Sequence, residues 1–340
     1  MPLTDVVLIK TDNTAGMAKI AFILVPGFPL MSFSATLEPL RAANHISNQK
    51  LFDLSLHSDG GGWVSSSGGM AVETQDLPQA TEDLSHLFVV AGGHVDQWGS
   101  RRIDACIRRT ARHGATIGGI TAGPFFLARA GLLTDRRFTI HWEHVDLFQE
   151  MFPLLTPEPA RYVRDGKTVT CGGGIAALDL MNSLIAERAD ASLAQRVSEW
   201  FLYTKGSFAG DPQRGSVSDR HIVTNSIVSD AIARMEGNIA VPLSREEIAE
   251  EMDISSRHLE RLFVKYTGAT FSEMYMRCRM TLAQRLLWQS TVSISDVSLA
   301  SGFSSLPHFS RTFTKRYGKS PSRWRQQILE DSHWLRRSGN

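Results

Sequence analysis

The sequence has few cysteines, no long apolar run and almost no net charge. Its three cysteines, Cys106, Cys171 and Cys278, lie far apart without metal-ligand spacing, so we predict no metal site. Because disulfide-rich chains belong to oxidising compartments, this scarcity indicates a reduced, cytoplasmic setting. No stretch reaches the roughly 18 apolar residues of a membrane span, and the chain does not open on a basic and then apolar leader. We therefore expect neither membrane association nor secretion.

The charge that the whole chain lacks is concentrated near its end. The formal net charge is +1 over 340 residues, yet residues 255–326 hold 12 Lys and Arg against three acidic residues. That segment therefore carries +9, and the remainder carries −8. A local basic excess in a nearly neutral chain is typical of a surface that binds nucleic-acid phosphates. For a charge run alone, a solvated helical surface is the alternative.

The basic segment also contains two similar passages, 244–263 and 293–313. Each has the pattern of a short amphipathic helix, a tight turn and a second amphipathic helix. In the first passage Leu259, Leu262 and Phe263 follow the i, i+3, i+4 spacing of a buried stripe. This is the helix-turn-helix layout, in which the second helix lies in the major groove of DNA.

The stretch ASGFSSLPHFSRTFTKRYGKSPSRWR, residues 300–325, resembles the DNA-binding domain of AraC/XylS-type transcription regulators. In that family a long helix, here Thr270 to Gln289, joins two units that enter successive major grooves. Leu306-Pro307 departs from the polar pair common in the family, so base reading by the second unit is less firmly implied. Position by position, the resemblance implies DNA contacts from Ser256, Arg257, Glu260, Arg261, Ser305, Leu306, His308 and Arg311.

The first two thirds of the chain alternate β-rich apolar runs with helical patterns. The runs that read as buried strands are Lys19–Val25, His86–Ala91 and Ala115–Ile120. This alternation predicts an α/β domain, a parallel sheet with helices on both faces, ahead of the all-α domain with its two helix-turn-helix units. In such sheets ligands bind at the carboxyl ends of the strands, which here bring up Phe28, His94 and Thr121.

Residues 118–133 and 139–142 resemble the ThiJ/PfpI-like branch of the class I glutamine amidotransferase-like superfamily, with similarity from about Lys19 to Leu202. In that superfamily a nucleophilic Cys stands where this chain has Thr121, and the acid that tunes it stands at Ser32. Thr has no accessible anion near neutral pH without a dedicated base. We therefore predict no catalytic residue, no enzyme activity and a retired active site that serves as a ligand pocket. His141 is a candidate base, so an amidase or hydrolase fused to a DNA-binding domain stays open as the alternative.

The predicted pocket combines a carboxylate site with aromatic surface. Thr121 and the backbone amides at the following helix start would bind a carboxylate, and aromatic faces attract alkylammonium groups. The core is the competing interpretation for Phe125, and a tight turn is the competing one for the glycine run 172–174. The ligand-binding candidates are Thr121, Trp142, His141, His94, Phe125 and Phe28. We predict no cofactor.

The two-domain order resembles the GlxA-like group of regulators, which includes activators of catabolic operons for glycine betaine, carnitine and related amines or amino acids. The resemblance implies a ligand-responsive bacterial activator with DNA half-sites, a small amine, betaine or amino-acid-like effector, RNA polymerase and a second copy of itself as partners. A constitutive DNA-binding protein with a purely oligomerising N-terminal domain is the remaining alternative. The predicted segments are a tail at 1–17, a sensing and dimerisation domain at 18–203, a linker at 204–222 and a DNA-binding domain at 223–335.

Overall fold

The computed structural model describes residues 16–93, 99–203, 206–214, 221 and 223–327, apart from the Gln289 side chain. Over this part of the chain an α/β domain comes first and a helical domain follows, which confirms the predicted fold class. The predicted tail falls almost entirely outside the described residues. The limits of the four predicted segments stay predictions.

The α/β domain is built on an eight-stranded sheet in the order β3-β4-β2-β1-β5-β6-β8-β7. The strands are β1 (Ala18–Leu24), β2 (Phe52–Ser58), β3 (Gly62–Ser65), β4 (Ala71–Asp76), β5 (Leu84–Ala91), β6 (Thr116–Thr121), β7 (Tyr162–Asp165) and β8 (Thr168–Cys171). In this sheet order, every neighbouring pair between β4 and β8 is parallel. At the two edges, β3 pairs antiparallel with β4 and β7 pairs antiparallel with β8. The carboxyl ends of β1, β5 and β6 are therefore neighbours at one edge of the sheet.

Helices cover both faces of this sheet. On one face lie α1 (Leu30–Ser47), α5 (Ala176–Arg188) and α6 (Ala191–Trp200), and on the other lie α2 (Arg101–Arg112), α3 (Pro124–Arg129) and α4 (Val145–Met151). Strand β1 is apolar from residue 20 to residue 24 because both of its faces are buried. Phe22 packs into the core beneath α1 and α5, and Ile23 packs into the core beneath α2 and α3. Each such side chain contributes about 1.5–3 kcal/mol by burial.

The second domain holds two helix-turn-helix units that share one helix. Its helices are α7 (Ser226–Gly237), α8 (Arg245–Glu251), α9 (Ser256–Thr267), α10 (Phe271–Gln289), α11 (Ile294–Ala300) and α12 (Leu306–Tyr317). The first half of α10 packs with α7, α8 and α9 through Met274 and Cys278, and its second half packs with α11 and α12 through Met280 and Leu287. The two units therefore stand on a single rigid element.

Local sequence signals set the starts of these helices. Ser244 and Thr270 each form a capping box with the Glu three residues on, and Ser255 and Ser293 each accept a hydrogen bond from the amide three residues on. Such a cap stabilises a helix by about 1 kcal/mol. In the second unit Gly302 makes the turn at φ +74°, where a Cβ would lie 2.2 Å from the Ile239 carbonyl oxygen.

Two further features of the described residues bear on function. None of their helices combines the length and the hydropathy of a bilayer span. They also contain no group of three His, Cys, Asp or Glu side chains arranged to hold a metal ion.

Candidate functional site

The predicted DNA-contacting residues lie at the starts of α9 and α12, the second helices of the two units. Arg257 and Arg261 are exposed on α9, while Leu259, Leu262 and Phe263 on its other side are buried. Likewise Ser305, Leu306, His308 and Arg311 are exposed on α12, and Phe309 and Phe313 are buried behind them. Each helix therefore presents a polar face to solvent and an apolar face to its core.

Two of the predicted contacts already have protein partners. The Glu260 carboxylate pairs with Arg245 at the start of α8, with 3.3 Å between Nη1 and Oε2. The His308 ring packs edge-on against Phe303, with 5.4 Å between centroids. The first pair ties the two helices of its unit together and adds Arg245, which sequence reasoning missed, to the same surface.

Not all of the basic excess is available to DNA. Arg279 donates to the Ser301 and Gly302 carbonyls and stacks over Phe303 at 4.0 Å, so it holds the turn of the second unit. Arg285 pairs with Asp146 of the first domain, and Arg325 donates to the Val292 carbonyl. The exposed basic residues in this segment are Arg257, Arg261, Lys265, Arg277, Arg311, Lys315, Arg316, Lys319 and Arg323.

In the first domain the turn after β6 keeps the backbone shape of a nucleophile elbow. Thr121 ends the strand with φ +60°, a strained conformation for a β-branched residue, and α3 begins at Pro124. Strain of this kind costs about 1–3 kcal/mol and is held by the surrounding structure. The elbow is therefore present without its cysteine.

The Thr121 hydroxyl is bound and covered. It donates to Ser32 Oγ at 3.0 Å, and Ser32 Oγ also accepts the Gly174 N–H at 2.8 Å. A Cβ on Gly173 would lie 2.1 Å from Thr121 Oγ1, so the Gly173 backbone sits directly against this oxygen. Thr121 is 6% exposed and does not line the neighbouring cavity. The structure thus corrects the expectation that Thr121 contacts a ligand directly.

The backbone amides at the elbow are occupied too. The Ala122 N–H donates to the Ala91 carbonyl and the Gly123 N–H donates to the Ile120 carbonyl, both at 2.9 Å. Pro124 has no N–H to offer. The expectation that these amides bind a carboxylate is therefore wrong, because folding has already satisfied them.

A small cavity of about 160 Å³ lies next to the elbow, on the side of the glycine run. Its lining residues are His141, Trp142, Arg161, Gly172, Gly173, Ile175, Ala176 and Gln213. Burial lowers the pKa of His141 to about 4, so its imidazole is neutral near pH 7, and its Nδ1 accepts the Glu143 N–H. The Arg214 guanidinium stands 4.3 Å over the Trp142 ring. Two of the six predicted ligand-binding residues, His141 and Trp142, therefore line this cavity.

Two other predicted pocket residues, Phe28 and Phe125, do not line the cavity. Phe28 is fully buried and packs edge-on against Phe33, with centroids 5.3 Å apart. Phe125 is 1% exposed and packs against Phe148 at 5.0 Å. Both rings belong to the core, because Phe28 lies between β1 and α1 and Phe125 lies in α3, directly after β6, where strand and helix pack together. Their assignment to the pocket is therefore corrected. His94 lies outside the described residues.

Comparisons with known proteins agree with both domains. Residues 18–187 match the DJ-1/PfpI family, and residues 248–327 match a family described as a helix-turn-helix domain. The HTH-type transcriptional regulator GlxA of Rhizobium meliloti (strain 1021) is 41% identical over 318 residues, covering 93% of this chain and 98% of that protein. The HTH-type transcriptional regulator CdhR of Pseudomonas aeruginosa is 38% identical over 301 residues, covering 88% of this chain and 89% of the relative.

This chain belongs to the AraC-type transcriptional regulators with an N-terminal DJ-1/PfpI domain. The solved structure of an AraC family transcriptional regulator from Pseudomonas putida is similar to it, with a TM-score of 0.51 and 28% identity over 54% of this chain and 99% of that one. Both family resemblances seen in the sequence are thereby confirmed, and the regulator is a DNA-binding protein.

Sequence reasoning missed three side chains at the regulator's cavity. Arg161 and Gln213 line it, and Arg214 covers Trp142. Arg161 follows a Pro-rich loop and pairs with the buried Asp179 at 2.9 Å. Gln213 and Arg214 lie in the polar stretch that predicted a linker, and no periodicity there signals contact with the first domain.

Proposed function

We propose that this regulator senses a small amine, betaine or amino-acid-like metabolite in the cavity beside the elbow and activates transcription in response. It reads DNA half-sites through the exposed faces of α9 and α12, with the residue set predicted above. It acts in the cytoplasm as a homodimer that engages RNA polymerase, as the family resemblance implies.

The observation that carries the proposal is that the elbow residue, Thr121, has a covered hydroxyl that is bonded to no base among the described residues. The Thr121 hydroxyl has another hydroxyl, Ser32 Oγ, as its hydrogen-bond partner, and no base among the described residues is bonded to it. The buried Cys171 does not replace it, because burial raises the pKa of its thiol to about 12. A fold that keeps the elbow, covers its oxygen and leaves a cavity alongside supports binding rather than turnover.

The chemistry of the cavity supports the ligand class. The Trp142 ring already carries a guanidinium at 4.3 Å, so its face accepts a cation. The Arg161 guanidinium, which already binds Asp179 through Nε and Nη2, would be the partner for a carboxylate, and the neutral His141 offers a ring nitrogen. A zwitterion with an ammonium at one end and a carboxylate at the other matches this arrangement.

The spacing of the reading helices supports the DNA-binding mode. Helix α10 has 19 residues, so it is about 28 Å long. Successive major grooves on one face of DNA repeat every 34 Å or so. With an exposed reading helix packed at each end of α10, the two units suit neighbouring grooves.

The test is a thermal-shift screen of the full chain against amines, betaines and amino acids, followed by DNA-binding titrations with each hit. A ligand at about 100 times its Kd adds roughly 2.7 kcal/mol of apparent stability. Trp142→Leu should abolish the shift, whereas Trp63→Leu, a substitution at an exposed ring on β3, should leave it unchanged. A hit that alters neither DNA affinity nor transcription would refute the sensor function.

The competing functions predict different results. Turnover of an amide or ester that disappears in Thr121→Ala would establish the hydrolase. A chain that binds DNA but responds to no metabolite in the screen would fit the constitutive DNA-binding protein. Sedimentation of the full chain at several concentrations tests the proposed homodimer.

A further inference from the structure

The stretch 206–214, which we call the connector, is held against the first domain along its length. The Ser207 N–H donates to Asp179, and the Arg161 N–H donates to the carbonyls of Ala209 and Asp211. Ala160 and Pro212 then pair as an isolated antiparallel bridge. This part of the predicted linker is therefore an added edge of the sensing domain.

Gln213 anchors the connector through its side-chain amide. Its Nε2 lies 2.7–2.9 Å from three acceptors, Thr139 Oγ1 and the carbonyls of Ile140 and Ala160. Its Oε1 accepts the Trp142 N–H at 2.9 Å. The amide thus uses both its donor and its acceptor capacity inside the cavity wall, as a bound polar ligand would.

Gly172 makes room for this side chain from the opposite wall. A Cβ at position 172 would lie 2.6–2.7 Å from three atoms of the Gln213 amide, the nearest heavy atoms to that point. No positive φ is needed at Gly172, so its lack of a side chain serves the contact with Gln213. The cavity that remains, about 160 Å³, is smaller than the roughly 300–1,000 Å³ of most ligand pockets.

The connector also lines the cleft between the first domain and the DNA-binding domain. Arg214, next to Gln213, stacks on Trp142, and both line a cleft of about 730 Å³ whose other wall is formed by α10. In the same cleft Asp146 of α4 pairs with Arg285 of α10. Trp142 thus belongs to the cavity on one side and to the seam between the domains on the other.

We propose that the connector occupies part of the effector cavity. The Gln213 amide hydrogen-bonds to residues of the cavity wall, and Arg214 stacks on the Trp142 ring. Effector binding and connector docking therefore exclude each other. When the connector is released, Arg214 leaves the cleft between the two domains, and the contacts of α10 with the first domain change. This inference rests on the proposed sensing function and names its route to the DNA-binding domain.

The test measures undocking directly, without an effector. Arg214 is exposed, but a protease needs a segment that is free to enter its active site, so undocking of the connector should speed tryptic cleavage after Arg214. Mass spectrometry of the digested full-length protein identifies the peptide that ends at Arg214. Gln213→Ala and Gly172→Ala loosen the dock from opposite walls. The matched controls are Gln195→Ala, at an exposed position on α6, and Gly99→Ala, where a Cβ meets nothing within 4 Å.

We expect both dock variants, and neither control, to speed cleavage after Arg214 by about tenfold, the effect of losing one or two net hydrogen bonds. They should also shift the Kd for a duplex selected by the wild-type protein from a random pool by at least about fivefold. Unchanged cleavage in Gln213→Ala would overturn the docking, even if Gly172→Ala did not fold. Faster cleavage with an unchanged Kd would overturn the transmission.

A separate arm distinguishes this inference from the sensing function. If a metabolite from the thermal-shift screen changes DNA affinity but leaves wild-type cleavage after Arg214 unchanged, the regulator is a sensor and the competition is wrong. If no metabolite binds while the dock variants behave as expected, the connector controls DNA binding and the sensing function is wrong.

Discussion

Replacing Gly173 by Ala tests the claim that the elbow oxygen is covered by backbone. Gly173 has φ +85°, and the added Cβ would lie 2.1 Å from Thr121 Oγ1 and 2.7 Å from Ser32 Oγ. The positive φ costs an alanine about 1 kcal/mol. Pushing the two hydroxyls aside in a packed site adds about 1–3 kcal/mol. We expect Gly173→Ala to lower the free energy of unfolding of the first domain by about 2–4 kcal/mol.

The neighbouring Gly174 provides the control, because it has φ +56° but no heavy atom within 4 Å of an added Cβ. Gly174→Ala should therefore show the conformational cost alone, about 1 kcal/mol. Urea unfolding of the full chain, followed by circular dichroism and tryptophan fluorescence, measures both variants.

A double variant separates the clash from the strain. Thr121→Ala removes the oxygen that the new methyl group meets, so Gly173→Ala should cost less in that background, with a coupling of about 1 kcal/mol or more between the two sites. Equal costs for Gly173→Ala and Gly174→Ala, or strict additivity with Thr121→Ala, would refute the covered elbow.

Three further perturbations follow from the structure. Arg257→Ala and Arg311→Ala should each cost about 1–3 kcal/mol of DNA affinity and relax base preference at one position; equal weakening on all sequences, measured with a panel of duplexes, would make them phosphate contacts. Burial lowers the pKa of His141 to about 4, against 6.5 for the ordinary group. As the pH falls, the unfolded chain therefore binds a proton at this site before the folded chain does. The free energy of unfolding should then fall between pH 6.5 and pH 4, by up to about 1.4 kcal/mol per pH unit. His141→Gln should reduce that slope in urea titrations at pH 7.5 and 5.0, and an unchanged slope would contradict the burial. Phe313→Ala, which empties a fully buried site against Phe309, Tyr317 and Trp324, should cost about 3–5 kcal/mol of stability, whereas Leu299→Ala at a 60% exposed position should stay within about 0.5 kcal/mol in the same assay.

Much of the fold was predictable because its signals are local. Apolar runs buried on both faces mark β1, β5 and β6, and Ser or Thr three residues ahead of Glu marks the starts of α8 and α10. The hairpin of β3 and β4 carries no such signal, because most of its residues are exposed and no continuous apolar run marks either strand. It forms by pairing, which a pattern along the chain does not display.

The candidate site was only partly predictable for a similar reason. The motif around Thr121 located the elbow, and His141 and Trp142 follow from the same resemblance. The partner of the Thr121 hydroxyl depends on how far Gly173, 52 residues later in the chain, approaches it in space. Gln213 reaches the cavity from a polar stretch rich in Gly, Pro and Ser, where composition favours a linker and says nothing about docking.

Helix α10 carries one consequence beyond stability. Because its two halves belong to the cores of both helix-turn-helix units, the separation of the two reading faces is fixed before DNA arrives. If both units contact DNA as proposed, the spacer between the two contacted positions in a binding site must have one length, whatever its sequence. Insertions and deletions in that spacer would then weaken the binding of this regulator to a promoter without changing a contacted base.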